Sequence, residues 1–394
     1  MIYWDHNATT APAPAVVQAM TQALTTFWAN PSSPHAAGEA AKRALGAARS
    51  TTAQALGCKP QEVVFTSGAT EANHLALRGL LGAAPPSRQR VLLSAVEHAG
   101  HLKMARALAD SGVAVDLIPV HADGSLDLGA AADLLGSDVG VVSLMAANNE
   151  TGVLMPLPAM AELCHRAGAL LHADATQYIG KLPFDFASLG ADAVSLSAHK
   201  FHGPKGVGAL LLRQGVPLQA QTLGSQERAR RGGTENLPGI VGLAAALAHL
   251  GDVATQAQHT RALRDALEAR WLAALPTTHI WARHTPRLPG TTCLRVGTLQ
   301  AEVVLQRLGR LGVAAASGAA CSSDGSQPSH VLSAMGVPAD EALAAVRLSL
   351  GPDNTLAEMA QVLEPLPGLL RSLLDTAEQS PPPEHPGADQ RAVA

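Results

Sequence analysis

The sequence has few aromatic residues, few charged residues and only four cysteines in 394 positions. Aromatic residues make up 3% of the chain and charged residues 15%, whereas hydrophobic residues reach 47%. A mainly disordered chain would be poor in apolar residues and rich in net charge, so this composition excludes that class. The core must therefore be built from aliphatic side chains and alanine.

Three further absences limit the partners and the location of the chain. The net charge of −4 provides no positive field for nucleic acid or an anionic membrane. No apolar run approaches the ~18 residues of a membrane span. The first residues, MIYWDHNATT, lack the basic start and apolar stretch of a secretory signal. We therefore expect no nucleic-acid partner, no membrane partner and a cytoplasmic location.

The cysteines show neither paired nor metal-ligand spacing. Disulfides are not expected, which favours a reducing cytoplasm, and the scattered histidines also predict no metal site. Cys58, Cys164 and Cys293 lie in helical or strand contexts typical of core thiols. Cys321 lies in SGAACSS (317–323), a composition typical of an accessible loop in which a thiolate could act. An incidental loop cysteine is the alternative.

Short apolar runs alternate with helix-length stretches from about residue 60 to 213. This alternation predicts βαβ units and a mostly parallel sheet with helices on both faces. The predicted strands are Glu62–Phe65, Val91–Val96, Val113–Val120, Val139–Met145, Ala169–Asp174, Ala193–Ser197 and Gly208–Leu212. Predicted helices between them include Ala69–Leu81 and Leu157–Ala167.

The pattern changes after the predicted sheet. A long helical stretch, roughly Ile240–Ala274, is followed by a strand near Thr291–Val296 and by helices near Ala301–Leu311 and Leu356–Leu374. This mixture predicts a second, smaller α+β domain. The proline-rich end, SPPPEHPGADQRAVA from residue 380, predicts a disordered tail.

The segment FTSGATEAN (65–73) predicts an anion site. A strand ends near Phe65, a glycine turn follows, and a helix begins near Ala69. The free backbone N–H groups at a helix N-terminus, with hydroxyls at Ser67 and Thr70, suit a phosphate. An ordinary strand–turn–helix with a Ser or Thr cap is the alternative.

Asp174, in HADATQ (172–177), follows an apolar run and so lies at the end of a predicted central strand. Ligand-binding residues occupy that position in α/β sheets. A carboxylate there needs a cationic or N–H partner, and a pyridinium nitrogen would serve. A helix N-cap is the alternative.

Lys200 lies in SLSAHKFHGPKGVGAL (195–210), just past a strand end and before a rigid turn. A partly desolvated lysine there can form a Schiff base with a cofactor aldehyde, although a surface lysine is the commoner outcome. Lys205 is the internal rival for that role. Pyridoxal phosphate needs three groups: a site for its phosphate, a carboxylate for its ring nitrogen and a lysine for its aldehyde. The predicted anion site, Asp174 and Lys200 would supply them.

Two more polar residues stand out. His98, in EHAGH (97–101) after an apolar run, could stack on a planar ring or move protons near pH 7, or it could cap a helix. Arg347 lies between Val346 and Leu348. It could form a structural ion pair, or it could bind a substrate carboxylate bidentately.

Taken together, the motifs closely resemble those of the cysteine desulfurases of the NifS/IscS type. These belong to the class V aminotransferase family, on the fold-type I scaffold of pyridoxal-phosphate enzymes. The resemblance runs from about Ile2 to Leu366. It is carried by YWDHNATT (3–10), NPSSPHAAGEAAKRAL (30–45), FTSGATEANHLAL (65–77), NNETG (148–152), HADATQ (172–177), AHKFHGPKGVG (198–208), QERARRGGTEN (226–236) and SGAACSS (317–323).

The resemblance implies a fold and a domain division. The fold is α/β, with a mostly parallel seven-stranded sheet in a large pyridoxal-phosphate-binding domain and a smaller α+β domain. The large domain is predicted over residues 13–260 and the small domain over residues 1–12 and 261–378. Residues 379–394 form the predicted tail. The family is dimeric, so a homodimer is expected.

Roles around the cofactor ring follow from the same resemblance. Lys200 would bond the cofactor aldehyde, Asp174 would pair with the pyridine nitrogen, and Gln177 would contact the ring hydroxyl. His98 would stack on the ring and assist proton transfer.

The resemblance also assigns the phosphate. Thr70, Ser197 and His199 would hold it, with Ala69 at the same helix end. Thr234 would reach the phosphate of the neighbouring subunit.

For the substrate, the resemblance implies that Asn149 and Arg347 hold the carboxylate, with Asn7 beside them. Cys321 would be the nucleophile that takes the sulfur. The spacing from Cys321 to Pro328 is similar to that of the long-loop group, whose cysteine can reach a separate acceptor protein.

The implied reaction removes sulfur from L-cysteine and leaves L-alanine and a persulfide on Cys321. The sulfur would pass to an acceptor protein for iron–sulfur cluster assembly or tRNA thiolation. The alternatives are a selenocysteine lyase, or another class V aminotransferase or β-lyase in which Cys321 is idle. A non-catalytic protein that has kept the fold is a further alternative, which Lys200, Asp174 and Cys321 together disfavour.

Overall fold

The computed structural model describes residues 1–318, 321–322 and 325–379, and of residues 321–322, 325–326, 372 and 375–379 it describes the backbone alone. The helices in chain order are α1 (Pro14–Thr26), α2 (Ala36–Ala55), α3 (Ala69–Ala83), α4 (Ala99–Asp110), α5 (Leu128–Leu134), α6 (Leu157–Ala167), α7 (Phe186–Leu189), α8 (Gln226–Ala229), α9 (Leu237–His249), α10 (Val253–Ala274), α11 (Ala301–Arg310), α12 (His330–Ala334), α13 (Ala339–Leu343), α14 (Leu356–Leu363) and α15 (Leu366–Gln379).

The strands are short, and most of their side chains are buried. In chain order they are β1 (Ile2–Tyr3), β2 (Val63–Thr66), β3 (Arg90–Ser94), β4 (Val115–Ile118), β5 (Val139–Met145), β6 (Leu170–Asp174), β7 (Ala193–Ser197), β8 (Gly208–Leu212), β9 (Thr278–Trp281), β10 (Thr291–Val296), β11 (Val313–Ala314), β12 (Ala316–Ser317), β13 (Cys321–Ser322), β14 (Gly325–Ser326) and β15 (Val346–Ser349).

The central sheet has seven strands within the described part of the chain, in the order β2-β8-β7-β6-β5-β3-β4. Strands β4, β3, β5, β6 and β7 pair in parallel, whereas β8 runs antiparallel to both β7 and β2. All seven predicted strands are present, although β4 is shorter than its prediction. The predicted α/β fold with a mostly parallel seven-stranded sheet is confirmed.

Both faces of this sheet are covered by helices. Along β3, Leu92 faces one apolar cluster, whereas Val91 and Leu93 face another, as the two-residue period of a strand requires. The first cluster includes side chains of α2, α6 and α9, and the second includes side chains of α3 and α4. Because both faces are buried, β5 reads VGVVSLM, in which Ser143 is the one polar side chain.

A separate apolar cluster surrounds a smaller antiparallel sheet of order β12-β15-β10-β9. Trp4 and Trp271 are both fully buried in it, together with apolar residues of α11, α14 and α15. The start of the chain joins this region because β1 pairs in parallel with β11. The boundaries of the large and small domains stay a prediction.

The structure corrects two helix predictions. The stretch Ile240–Ala274 is two helices, α9 and α10, bent by 75°. The break follows from Gly251, whose φ of +61° ends helical geometry, and from Asp252, whose carboxylate caps α10. Likewise Leu356–Leu374 is divided between α14 and α15 next to Pro365, because proline has no N–H for the helical ladder.

No single helix among the described residues is both long and apolar enough to cross a membrane. The bent pair α9–α10 meets the length and composition criteria only when its two helices are taken together.

Candidate active site

A cavity of about 480 Å³ lies where β5, β6 and β7 end and α3 begins. The carboxyl ends of parallel strands are the usual place for a ligand in an open α/β sheet. Several of the predicted site residues line this cavity: Ala69, Thr70, His98, Asn149, Asp174, Gln177, Ser197, His199 and Lys200.

The N-terminus of α3 forms one wall of the cavity. Ala69 and Thr70 are its first residues, and no side chain caps this end among the described residues. Its first N–H groups are therefore free to bind an anion. Glu71 lies on the same turn, but Arg231 pairs with it at 2.7 Å. The ion pair offsets a negative charge that would otherwise oppose an anion here.

Asp174 ends β6 and is only 7% exposed. Its carboxylate accepts hydrogen bonds from Asn73 Nδ2 at 2.7 Å and from the Thr176 N–H at 2.9 Å. Burial alone would raise the pKa of Asp174, but the hydrogen bonds outweigh it and the pKa lies below its ordinary value. Asp174 is therefore a buried anion aimed at the cavity, which suits a cationic ring nitrogen.

Lys200 ends a single 3₁₀ turn, Ala198–Lys200, directly after β7. Its amine donates to the backbone carbonyl oxygens of Asn7 at 2.7 Å and Ala8 at 2.8 Å. Burial, and next the charge of Arg347, lower the pKa of Lys200 to about 8. Its rival Lys205 also lines the cavity but is exposed. A desolvated amine is the better nucleophile, so the geometry favours Lys200.

His98 caps α4 and also lines the cavity. A capping role therefore does not exclude the predicted role beside a cofactor ring. Its Nδ1 accepts the Gly100 N–H at 3.2 Å, and Nε2 therefore carries the proton of the neutral ring. Burial lowers the pKa of His98. Nearby, His199 places Nδ1 3.0 Å from the hydroxyl of Thr9, and burial lowers its pKa to about 4. Both rings are neutral at pH 7.

Asn7 connects several parts of the site, although it lies far from them in sequence. It is 2% exposed. Its Nδ2 donates to the carbonyl oxygen of Asn149 at 3.1 Å and to the hydroxyl of Thr291 at 3.0 Å. Its own carbonyl oxygen accepts from Gln177 Nε2 at 2.8 Å as well as from Lys200. The N-terminal segment therefore supports, through hydrogen bonds, three residues that line the cavity: Asn149, Gln177 and Lys200.

Four predicted residues are placed differently. Asn7 lies outside the cavity lining and acts on it through the hydrogen bonds described above. Arg347, on β15, does not line the cavity; it pairs with Asp5 at 2.7 Å and donates to the Asn149 carbonyl oxygen at 3.1 Å. Thr234 is exposed and also lies outside the lining, so its predicted reach to a neighbouring subunit stays a prediction. The backbone of Cys321 pairs in β13, but its side chain is outside the described residues.

Sequence reasoning missed three residues of this site. Asn73 and Thr176 bind the Asp174 carboxylate, and Lys181 donates to Asn7 and Gln177. Asn73 lies in the motif FTSGATEAN (65–73), and Thr176 lies in HADATQ (172–177). A polar residue on the buried face of α3 was the available signal for Asn73. For Lys181 the signal was its position four residues after Gln177.

The residues present fit pyridoxal phosphate. The cavity volume falls within the ~300–1,000 Å³ of small-molecule pockets. The buried Asn73 Oδ1 has no hydrogen-bond partner among the described residues, and Asn73 lines the cavity. An anion site, a buried carboxylate and a nucleophilic amine thus face one space. By contrast, the described residues contain no group of three or more His, Cys, Asp or Glu side chains placed to hold a metal ion.

Comparison with known proteins places this site in a family. The family model of class-V aminotransferases matches residues 2–362. The chain belongs to the class V aminotransferase family, which confirms the predicted family and its pyridoxal-phosphate cofactor.

Particular relatives narrow the comparison. The chain is 47% identical over 377 residues to a cysteine desulfurase of Cereibacter sphaeroides, covering 94% of this chain and 96% of the relative. It is similar to the solved structure of a NifS-like protein, with a TM-score of 0.87 and 33% identity over 94% of this chain and 99% of that one. The structure of SspA in complex with cysteine matches with a TM-score of 0.80 and 29% identity, covering 90% of this chain and 100% of that chain. These relatives confirm the predicted resemblance.

Proposed function

We propose that this chain is a pyridoxal-phosphate-dependent cysteine desulfurase that takes sulfur from L-cysteine onto Cys321. The observation that carries the proposal is the single cavity shared by the anionic Asp174 and the desolvated Lys200 amine. The relatives support the substrate, because one is a cysteine desulfurase and another holds cysteine. A selenocysteine lyase or an aminotransferase is not favoured by these relatives.

Pyridoxal phosphate, when bound, supplies an electron sink that weakens the Cα–H bond of an amino acid. The N-terminal turn of α3 with Ala69 and Thr70, and the side chains of Ser197 and His199, would hold the phosphate. Asp174, fixed as an anion, would keep the ring nitrogen protonated.

Proton movement is assigned to Lys200 and His98. A lysine with a pKa of about 8 is partly neutral near pH 8, so Lys200 can take a proton at Nζ and return it. His98 is neutral and carries its proton on Nε2, because Nδ1 is occupied by the Gly100 N–H. It can therefore donate from Nε2, whereas the other nitrogen fixes the ring orientation.

Sulfur transfer is assigned to Cys321. Its thiolate attacks the sulfur of the substrate, an S–S bond forms, the C–S bond breaks, and the bonding pair goes to the substrate carbon. The enzyme thiol and L-cysteine thus become an enzyme persulfide and L-alanine, so that no outside oxidant is required. The thiolate is the reactive form.

We further propose that Arg347, Asn149 and Asn7 form the site for the substrate carboxylate. The guanidinium of Arg347 and the side chain of Asn7 both donate to the Asn149 carbonyl oxygen, so hydrogen bonds join the three residues. The Nε of Arg347 is buried and has no partner among the described residues.

The expected partners are a second copy of the chain and a sulfur acceptor, either an iron–sulfur scaffold or a tRNA-thiolation enzyme. Thr234 would then reach the phosphate bound by the second copy. A reducing cytoplasm is the expected compartment, and it is compatible with the free thiols of Cys58, Cys164 and Cys293.

The decisive experiment measures alanine and sulfide together after adding L-cysteine and a reductant. Equal amounts are expected from the wild type and from Cys58→Ala, a matched control at a half-buried thiol. Cys321→Ala should load the cofactor normally but form neither product. Alanine release that persists in Cys321→Ala would remove Cys321 from the reaction, and a higher rate with selenocysteine than with cysteine would favour the lyase.

A further inference from the structure

A second lysine, Lys181, lies next to the site but does not line the cavity. The amine donates to the side-chain oxygen of Asn7 at 2.7 Å and to the side-chain oxygen of Gln177. Both partners are neutral amides rather than carboxylates. Burial, and next the charges of Lys200 and Arg347, lower the pKa of Lys181 well below its ordinary value. A buried lysine with neutral partners is costly, and the proposed reaction assigns it no role.

The two amides held by Lys181 are tied at their other ends as well. Gln177 Nε2 donates to the Asn7 carbonyl oxygen at 2.8 Å, and Asn7 Nδ2 donates to the Asn149 carbonyl oxygen at 3.1 Å. An amide has distinct donor and acceptor ends, so an amine at the oxygen end and a carbonyl at the nitrogen end specify the same orientation. Each amide is therefore fixed from both sides.

The orientation of Gln177 matters because this residue lines the cavity. Its Nε2 carries two protons, of which one is given to the Asn7 carbonyl oxygen. The second proton remains available to a ligand. If the amide were reversed, the cavity would face an acceptor oxygen instead.

We propose that Lys181 is a positioning residue, which holds the side-chain oxygens of Gln177 and Asn7 so that Gln177 presents an N–H donor to the ring hydroxyl of the cofactor. The inference rests on the proposed function, and it adds the chemical sense of the Gln177 contact. A donor at this point favours the deprotonated ring oxygen over the protonated one.

The test is a pH titration of the absorbance of the bound cofactor, without substrate. Lys181→Met retains an unbranched side chain, shorter than that of lysine by the amine group, and removes its donors. We expect the titration midpoint to rise by about one pH unit, the size expected when a charged acceptor loses a hydrogen bond. Lys103→Met, at an exposed position on α4, should leave the midpoint unchanged. An unchanged midpoint in Lys181→Met would overturn the proposal.

A double-mutant cycle separates positioning from a direct effect of charge. Gln177→Leu should raise the midpoint by itself, and adding Lys181→Met should then change it little. Equal shifts in both backgrounds would show that Lys181 acts independently of Gln177. Lys181→Gln retains N–H donors and should keep the midpoint close to that of the wild type. If Lys181→Met does not fold, a raised midpoint in Lys181→Gln would contradict the proposal.

The titration is independent of sulfur transfer, so the two proposals fail separately. If the wild type forms no alanine although its bound cofactor titrates as expected, only the desulfurase assignment is contradicted. A normal alanine assay with an unmoved midpoint in Lys181→Met would contradict the role of Lys181 alone.

Discussion

The Lys200 amine donates a 2.7 Å hydrogen bond to the backbone carbonyl oxygen of Asn7, 193 residues earlier in the chain. The same carbonyl oxygen accepts from Gln177 at 2.8 Å. One backbone oxygen therefore sets the position of the lysine and of the amide beside it. Because a carbonyl oxygen accepts from either an ammonium or a neutral amine, this contact holds Lys200 in place without fixing its protonation state.

Cofactor loading should depend on pH through Lys200. Only the neutral amine attacks the aldehyde, and the pKa of Lys200 is lowered to about 8, so the neutral fraction rises as the pH rises through 8. The rate of absorbance change after mixing apoprotein with pyridoxal phosphate should therefore increase with a midpoint near pH 8. Arg347→Met removes a nearby positive charge and should move this midpoint upward. A midpoint near 10 in the wild type would show that Lys200 is not desolvated.

Asp174→Asn tests the buried carboxylate. The substitution keeps the shape but removes the anion that would keep the ring nitrogen protonated, and we expect kcat to fall about 10²-fold or more, on the scale of proton-transfer contributions. Asp116→Asn is the control: Asp116 lies on β4 and pairs with Arg90 of β3, and its substitution should retain kcat. Full activity in Asp174→Asn would show that the reaction does not need the negative charge of this residue.

The local part of the site was predictable, and the long-range part was not. Asp174 and Lys200 each follow an apolar run. In the structure Asp174 ends β6 and Lys200 ends the short turn directly after β7, because that pattern marks where a buried strand ends. The roles assigned to them stay predictions. Asn7 contacts residues between 142 and 342 positions away, and hydrophobic periodicity carries no information about such contacts.

The two helix errors have the same origin. Apolar residues continue with helical spacing across Gly251 and across Pro365, so the pattern predicts one helix where the backbone makes two. In the first case the information was present as Gly251 followed by Asp252, a helix-stop signal beside a helix-start signal. Local chemistry at the break was a better guide than the periodicity around it.

Ser329, eight residues after Cys321 in the chain, forms a hydrogen bond next to the site. Its hydroxyl donates to Glu150 Oε2 at 2.5 Å, next to Asn149, and its neighbour His330 lies 2.8 Å from the carbonyl oxygen of Glu97, next to His98. Ser329→Ala should therefore slow alanine formation while cofactor loading stays normal. Parallel measurements of both rates check this prediction, and equal losses in the two would instead indicate a general structural defect.

The same substitution makes a prediction about stability. Burial raises the pKa of Glu150 above its ordinary 4.5, and the Ser329 hydrogen bond opposes that rise. Glu150 therefore contributes stability below about pH 4.5, and this is lost as the pH rises through its folded pKa. Without the hydroxyl, the charged form of Glu150 costs more, so Ser329→Ala should lower the unfolding free energy by about 1–3 kcal/mol above the folded pKa of Glu150 and by less below it. In Glu150→Gln this pH dependence of the Ser329→Ala effect should vanish.

Arg347 forms an ion pair with Asp5, so variants of the two residues can distinguish substrate binding by Arg347 from a purely structural role. If Arg347 binds the substrate carboxylate, Arg347→Lys should raise the KM for L-cysteine about tenfold to a hundredfold, because lysine cannot replace the bidentate geometry. Asp5→Asn should then change KM little, since the guanidinium remains and still donates to the Asn149 carbonyl oxygen. If Arg347 only holds Asp5, the two variants should lose activity equally, because each breaks the same 2.7 Å contact. Measuring KM and kcat separately for both variants, at a pH where cofactor loading is complete, distinguishes these outcomes.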